Sequence, residues 1–198
     1  MTDSHHSELN AETPSQGNEG MVIVMNGFPG TGKYTILQHL YAQMSKLSTM
    51  REIRLIDNHV LIDPAASVFP DRGPEHHELR RRIRNTVFAS LRQVAINGCI
   101  VLMTACLAEN EADCQVLKEH LDIVRGTAIP MVWINAHCDQ DILEQRATST
   151  ERIQGTKTKL TDRDTLRKLV DENKLIQPTK CGSKLDLGVS NFEWEPWT

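Results

Sequence analysis

With 198 residues and a formal net charge of −4, the chain is long enough to bury one substantial core and exerts no bulk attraction on nucleic acid or an anionic membrane. Hydrophobic residues at 39% and charged residues at 24% place it among globular proteins, and no run approaches the ~18 apolar residues a spanning helix needs. The N-terminus lacks the apolar core of a signal peptide. The five cysteines, Cys99, Cys106, Cys114, Cys138 and Cys181, form neither a CxxC pair nor a zinc-finger spacing, so the expected setting is a reducing cytoplasm, without metal framework or disulfide scaffold.

Residues 1–20 are rich in Ser, Thr, Asn, Glu and Gly, with Leu9 the only large aliphatic side chain among them. Such a segment buries too little surface to offset the entropy of ordering, and it reads as a disordered tail before a domain spanning 21–198. His5 and His6 read as solvated. Met21-Val22-Ile23-Val24-Met25 is a short apolar run bounded by glycine, as expected of a strand buried on both faces. Helical spacing follows over about 33–46, with Ile36, Leu37, Leu40, Tyr41 and Met44 on one stripe.

Residues 53–57 predict a second strand and 74–97 a long helix striped by Leu79, Ile83, Val87, Leu91 and Val94. A third strand is expected over 99–104, a helix over 111–124 and a fourth strand over 129–135. Asp141 and Glu144 have capping-box spacing at the start of another helix. A polar stretch, 148–159, separates it from a helix opening near Thr161 or Asp162, and the last strand is placed at 184–189, where Gly188 weakens it. Strands alternating with helices, and apolar on both faces, imply an α/β fold whose parallel sheet is covered on both sides. Ligands then bind beyond the C-terminal ends of the strands, which puts 26–33, 57–59, 104–106 and 135–139 on one rim.

The run Gly27-Phe28-Pro29-Gly30-Thr31-Gly32-Lys33 lies between the first strand and its helix. Glycines let backbone N–H groups approach a phosphate chain at a helix N-terminus, and Lys33 supplies a mobile positive charge. The expected ligand is a nucleotide. The common pattern continues with a Ser or Thr that binds Mg²⁺, but here the next residue is Tyr34, followed by Thr35.

Gly27-Phe28-Pro29-Gly30-Thr31-Gly32-Lys33-Tyr34-Thr35 resembles the G-x-P-G-x-G-K-G-T loop of adenylate-kinase-like enzymes. From 21 to about 174 the order of elements is similar to small P-loop kinases, including chloramphenicol-phosphotransferase-like and gluconate-kinase-like proteins, often grouped as AAA-type ATPase domains. The resemblance implies a three-layer P-loop NTPase fold with a five-stranded parallel sheet and a short helical lid at about 148–161. It implies that residues 27–35 bind ATP, that Thr35 contacts phosphate, and that Mg²⁺ is held largely through water. After the third strand the chain has Thr104-Ala105-Cys106-Leu107 where adenylate kinase has Asp-Gly-Phe-Pro, which disfavours a true adenylate kinase.

A kinase acting on an alcohol needs a base at the acceptor hydroxyl and cations on the transferred phosphoryl group. Asp57, at the end of the second strand, is the first candidate base, ahead of His59 and Asp63; a plain turn-forming role for Asp57 stays open. Similar small-molecule phosphotransferases carry their carboxylate there. Arg146 and Arg152 are the candidate lid cations, as the resemblance implies, with Lys157 and Lys159 assisting. In Arg80-Arg81-Arg82-Ile83-Arg84 the four basic residues cannot all face the same way, and Arg80 and Arg84 share a face; a solvated face is the expectation, ahead of an anionic-acceptor site. His76 and His77, or His137-Cys138-Asp139, lack further ligands at metal spacing.

The leading expectation is therefore ATP-dependent phosphoryl transfer to a small hydroxylated molecule, with Lys33, Asp57, Arg146 and Arg152 as its catalytic groups. The alternatives are a nucleotide-binding module without turnover, which Tyr34 and a third strand ending in Thr104 favour, and a simple ATPase. The abbreviated stretch after 189 points the same way as the first alternative, predicting an incomplete adenine pocket.

Overall fold

The computed structural model describes residues 20–47, 51–150, 154, 160–180 and 189–194. Five strands alternate with six helices among them: β1 (Met21–Asn26), α1 (Lys33–Leu47), β2 (Ile53–Ile56), α2 (His59–Val68), α3 (Pro74–Ile96), β3 (Ile100–Ala105), α4 (Glu111–Asp122), β4 (Met131–Ala136), α5 (Gln140–Ala147), α6 (Arg163–Glu172) and β5 (Val189–Trp194). The strands form one sheet in the order β2-β3-β1-β4-β5. Every pairing is parallel, with Val24 opposite Met103 on one side and Trp133 on the other.

Parallel strands need crossovers, and the crossovers bury both faces of the sheet. Alternation along β1 divides its side chains accordingly. Val22 and Val24 join Val101, Met103, Met131 and Trp133 against α3 and α4. Ile23 and Met25 join Ile100, Leu102 and Ile53 against Leu37 of α1. The result is the three-layer α/β arrangement expected. A third cluster gathers Phe28, Leu143, Ala147, Leu166 and Leu175, fastening α5 and α6 to the glycine loop. No described helix is long and apolar enough to cross a membrane.

Several elements depart from expectation. The last described strand is Val189–Trp194; of the strand expected at 184–189, all but Val189 lies outside the described residues. Its register, Met131 opposite Val189 through Ala136 opposite Trp194, supplies the edge beside β4. Helix α2 was not expected; it carries Pro64 inside it, a residue that removes a helical donor and disguises the segment. Asp141 lies in the first turn of α5, while the N-cap is Asp139, whose side chain makes no capping hydrogen bond. Glu144 is buried instead and takes both of its oxygens to Arg167 of α6, at 2.8 Å each. Cys114 is disulfide-bonded, against the expectation of reduced cysteines, whereas Cys99, Cys106 and Cys138 are free thiols. The expected tail, all of it except Gly20, lies outside the described residues, as do Arg152, Lys157, Lys159 and most of the lid segment.

Candidate functional site

From β1 the chain crosses to β2 and β3 on one side of the sheet and later to β4 and β5 on the other. The crossovers therefore diverge at β1, and a crevice opens at its C-terminal end. The loop 27–32 occupies that crevice. Gly30 and Gly32 have φ of 98° and 82°, a left-handed backbone that residues with a Cβ rarely adopt. Gly27 is held for a different reason: a Cβ there would lie 2.7 Å from the Ala136 carbonyl oxygen.

The loop is tied down from within and from below. Thr31 donates its hydroxyl to the Phe28 carbonyl at 2.9 Å. Phe28 is buried in the cluster with Leu143 and Leu166. The Lys33 ammonium donates to the carbonyls of Gly27 (2.6 Å) and Phe28 (2.9 Å) and to Thr31 Oγ1 (3.3 Å). Lys33 thus lies across the mouth of the loop, where an anion would meet it first. Pro29, Tyr34 and Thr35 follow the loop and the opening turn of α1, with Thr35 exposed and Tyr34 half-buried.

Arg146 reaches the loop from α5 and donates to the Gly30 carbonyl at 3.2 Å. Its placement is supported by Glu144, two residues earlier on α5. The Arg167 guanidinium beside Glu144 holds that carboxyl below the usual carboxylate range, so it stays ionised and bridges α5 to α6.

On the other flank of β1, Asp57 follows β2 and is almost fully buried. Its Oδ1 accepts from Thr104 Oγ1 and from the His59 backbone N–H, both at 3.3 Å. Thr104 in turn accepts from the Asn58 backbone N–H at 2.9 Å. Thr104 pairs in register with Met25 of β1, and with β3 interposed Asp57 stands two strand spacings, about 10 Å, from β1. His59 and Asp63, the other candidate bases, face each other on α2 with Nδ1 and Oδ1 3.5 Å apart.

Beneath the loop two asparagines join three segments. Buried Asn26 donates to the Asn135 side chain at 3.0 Å and to the Leu107 carbonyl at 3.1 Å, and accepts from the Leu107 N–H at 2.7 Å. Asn135 accepts from the Trp133 indole and donates to the Ile176 carbonyl. Sequence reasoning missed this pair, although both strands visibly end an apolar run on Asn.

Beside the loop, on the β4 and β5 flank, lies a cavity of about 500 Å³. Phe28, Thr31 and Leu175 line it, with Glu109, His137 and Glu193 at its polar margin. The segment carrying Leu175 is fixed by a bridge between Ala108 and Leu175 and by the Glu109 N–H on the Lys174 carbonyl. Glu193 accepts from Gln177, Asn135 and His137. His137 is thereby a partner of Glu193, and His76 bonds the Phe69 carbonyl through Nδ1. Among the described residues no cluster of three His, Cys, Asp or Glu could hold a metal ion.

The arginine run is not the solvated face expected. Arg84 is buried and ion-paired with Glu119 of α4, Arg81 pairs with Glu78 on the surface, and Arg80 is half-buried. Charge along the sequence hid this, because a run of arginines looks alike whichever face it turns inward.

The glycine loop at the divergence point of a parallel sheet, with strand order β2-β3-β1-β4-β5, defines a P-loop kinase-like fold. Solved structures agree. A kinase-assigned protein from Chloroflexus aurantiacus shares the fold with a TM-score of 0.60 and 13% identity, each chain covered over 88% of its length. APE1195 matches with a TM-score of 0.54 and 17% identity, over 88% of this chain and 86% of that one. Kti12 of Chaetomium thermophilum, solved in complex with ADP-AlF3, matches with a TM-score of 0.51 and 16% identity, over 88% of both chains. No family model matches the sequence, and no curated protein sequence is similar to it.

Proposed function

We propose that this protein is an ATP-dependent phosphotransferase that acts on a hydroxyl group of a small molecule. The observation that carries the reading is the arrangement around Lys33: a base-sized cavity on one flank of the loop and the Asp57 carboxylate on the other flank of the same rim. A cavity of this size suits a nucleobase and ribose. With the base there, the phosphates run along 27–35 toward Lys33. The ADP-AlF3 held by Kti12, a protein of the same fold, supports a nucleotide in this place.

In the reaction proposed, the acceptor oxygen forms a bond to the γ-phosphorus while the bond from that phosphorus to the ADP oxygen breaks. Asp57 takes the hydroxyl proton, and the charge on the transferred group is met by Lys33, Arg146 and, from the lid, Arg152. Thr104 is the positioning residue for Asp57. Asp57 and Thr104 are hard oxygen donors that fit Mg²⁺ through intervening water, and Tyr34 gives no direct ligand. When bound, Mg²⁺ would neutralise charge on the β and γ phosphates.

The test is ATP consumption against a panel of hydroxylated metabolites, with Lys33→Ala and Asp57→Asn as controls. Acceptor-dependent ADP formation that falls at least ~100-fold in Asp57→Asn supports the reading; full turnover by Asp57→Asn removes the proposed base. The last residues of β3, Thr104 and Ala105, carry no acid, and this favours one other reading, a nucleotide-binding module. ATP binding without turnover on any acceptor would be its signature. Phosphate release with no acceptor present would instead indicate a simple ATPase.

A further inference from the structure

Glu193 stands opposite Asn135 in the register of β5 on β4, so the two side chains emerge together at the rim end of this sheet edge. Among the described residues three donors hold its carboxylate. Gln177 and Asn135 donate to Oε1 at 3.1 and 3.3 Å, and His137 donates Nε2–H to Oε2 at 2.5 Å. Asn135 is itself buried and pinned by Asn26, Trp133 and the Ile176 carbonyl, so this donor to Oε1 is fixed in place. A carboxylate accepts about four hydrogen bonds, shared equally by its two oxygens. Oε1 is therefore filled, and Oε2 keeps one position for a further donor.

The same carboxylate lines the cavity beside the loop, and its side chain is half-exposed. Phe28, Leu143 and Leu175 give that cavity its apolar body. Its charged lining among the described residues is Glu109, Glu193 and Lys174, with no arginine. Two carboxylates against one ammonium disfavour an anionic occupant and suit an uncharged ring that carries N–H donors. A carboxylate selects such a donor more strongly than a neutral acceptor does, because hydrogen bonds to an ionised group are the stronger kind.

We infer that Glu193 reads the exocyclic amino group of a purine base held in this cavity, with one amino hydrogen donated to Oε2. Glu193 is thereby the specificity-determining residue for the nucleotide, and Asn135 and His137 are its positioning residues. This rests on the nucleotide-binding part of the phosphotransferase reading. Adenine offers its 6-amino group and guanine its 2-amino group, and the arms of the test separate them.

The test titrates the full chain by calorimetry with two pairs of triphosphates, each pair differing by the amino group. ATP is set against purine riboside triphosphate, and GTP against inosine triphosphate. In one pair the amino-bearing member should bind at least about tenfold tighter, as expected for one hydrogen bond to a charged acceptor, and that pair identifies the base. Glu193→Gln should bring the two affinities of that pair together, because the amide oxygen stays on Asn135 and Gln177 while its NH₂ faces the base. Affinity for the member without the amino group should not change in the variant, a readout that a merely structural role would move. Equal affinities within both pairs for the wild type overturn the proposal alone and need no variant. A preference that survives in Glu193→Gln also overturns it, assigning the amino group to another acceptor. Absence of binding by all four triphosphates overturns the nucleotide reading and the proposal with it.

Discussion

Thr104 donates its hydroxyl to Asp57 across 3.3 Å, joining the C-terminal ends of β3 and β2. The same oxygen receives the Asn58 N–H, so one side chain sets both the carboxylate and the turn that carries it. Thr104→Val keeps the shape and removes both hydrogen bonds. The expected result is a loss of about tenfold in the rate of phosphoryl transfer, corresponding to roughly one hydrogen bond, with ATP affinity unchanged. Single-turnover kinetics beside ATP calorimetry separates the two quantities; a parallel fall in ATP affinity would show that Thr104 shapes the loop and not the acceptor side.

Gly30 has φ of 98°, and a Cβ added to it would come within 3.1 Å of the Leu143 carbonyl oxygen. Gly30→Ala should cost about 1–3 kcal/mol of stability through backbone strain. The larger effect should fall on ligand, because the strained loop turns its N–H groups away from the phosphates. Urea unfolding and ATP calorimetry on the same variant check both, and ATP affinity equal to that of the wild type would contradict the cradle.

His120 is buried between Phe88 and Trp133 and donates Nδ1–H to the Val116 carbonyl at 2.8 Å. Burial, together with Arg84 and Arg80, lowers its pKa to about 4, against the hydrogen bond to Val116. The unfolded chain then binds the extra proton between about pH 6.5 and pH 4, while the folded one does not. Stability is complete above the unfolded value and falls as pH drops through that window, by up to about 3 kcal/mol. Denaturant midpoints of the wild type against His120→Phe over pH 4–7 measure it. The variant should lack this component of the acid slope.

The layout and the loop were legible because each signal is local. An apolar strand, a glycine run, Lys33 and an amphipathic helix follow one another within 21–47, and their order alone places the loop at the sheet rim. The position of Asp57 at the end of β2 was legible for the same reason, being the first polar residue after a strand. What stayed hidden depends on distant partners. Glu144 has the spacing of a cap relative to Asp141, yet Arg167 on another helix claims it. β5 mixes polar and apolar residues and is a strand because β4 offers it an edge. Arg80 and Arg84 differ in burial although the sequence around them is uniformly basic, since the difference arises from how α3 meets α4 and β3.

The central claim is that Lys33 and the loop around it hold the phosphates of ATP. Calorimetric titration of ATP into the full chain and into Lys33→Ala tests it most directly. The account predicts saturable binding at or below millimolar ATP for the wild type and at least about tenfold weaker binding for Lys33→Ala. No binding at millimolar ATP, or equal affinity for the two proteins, would contradict it.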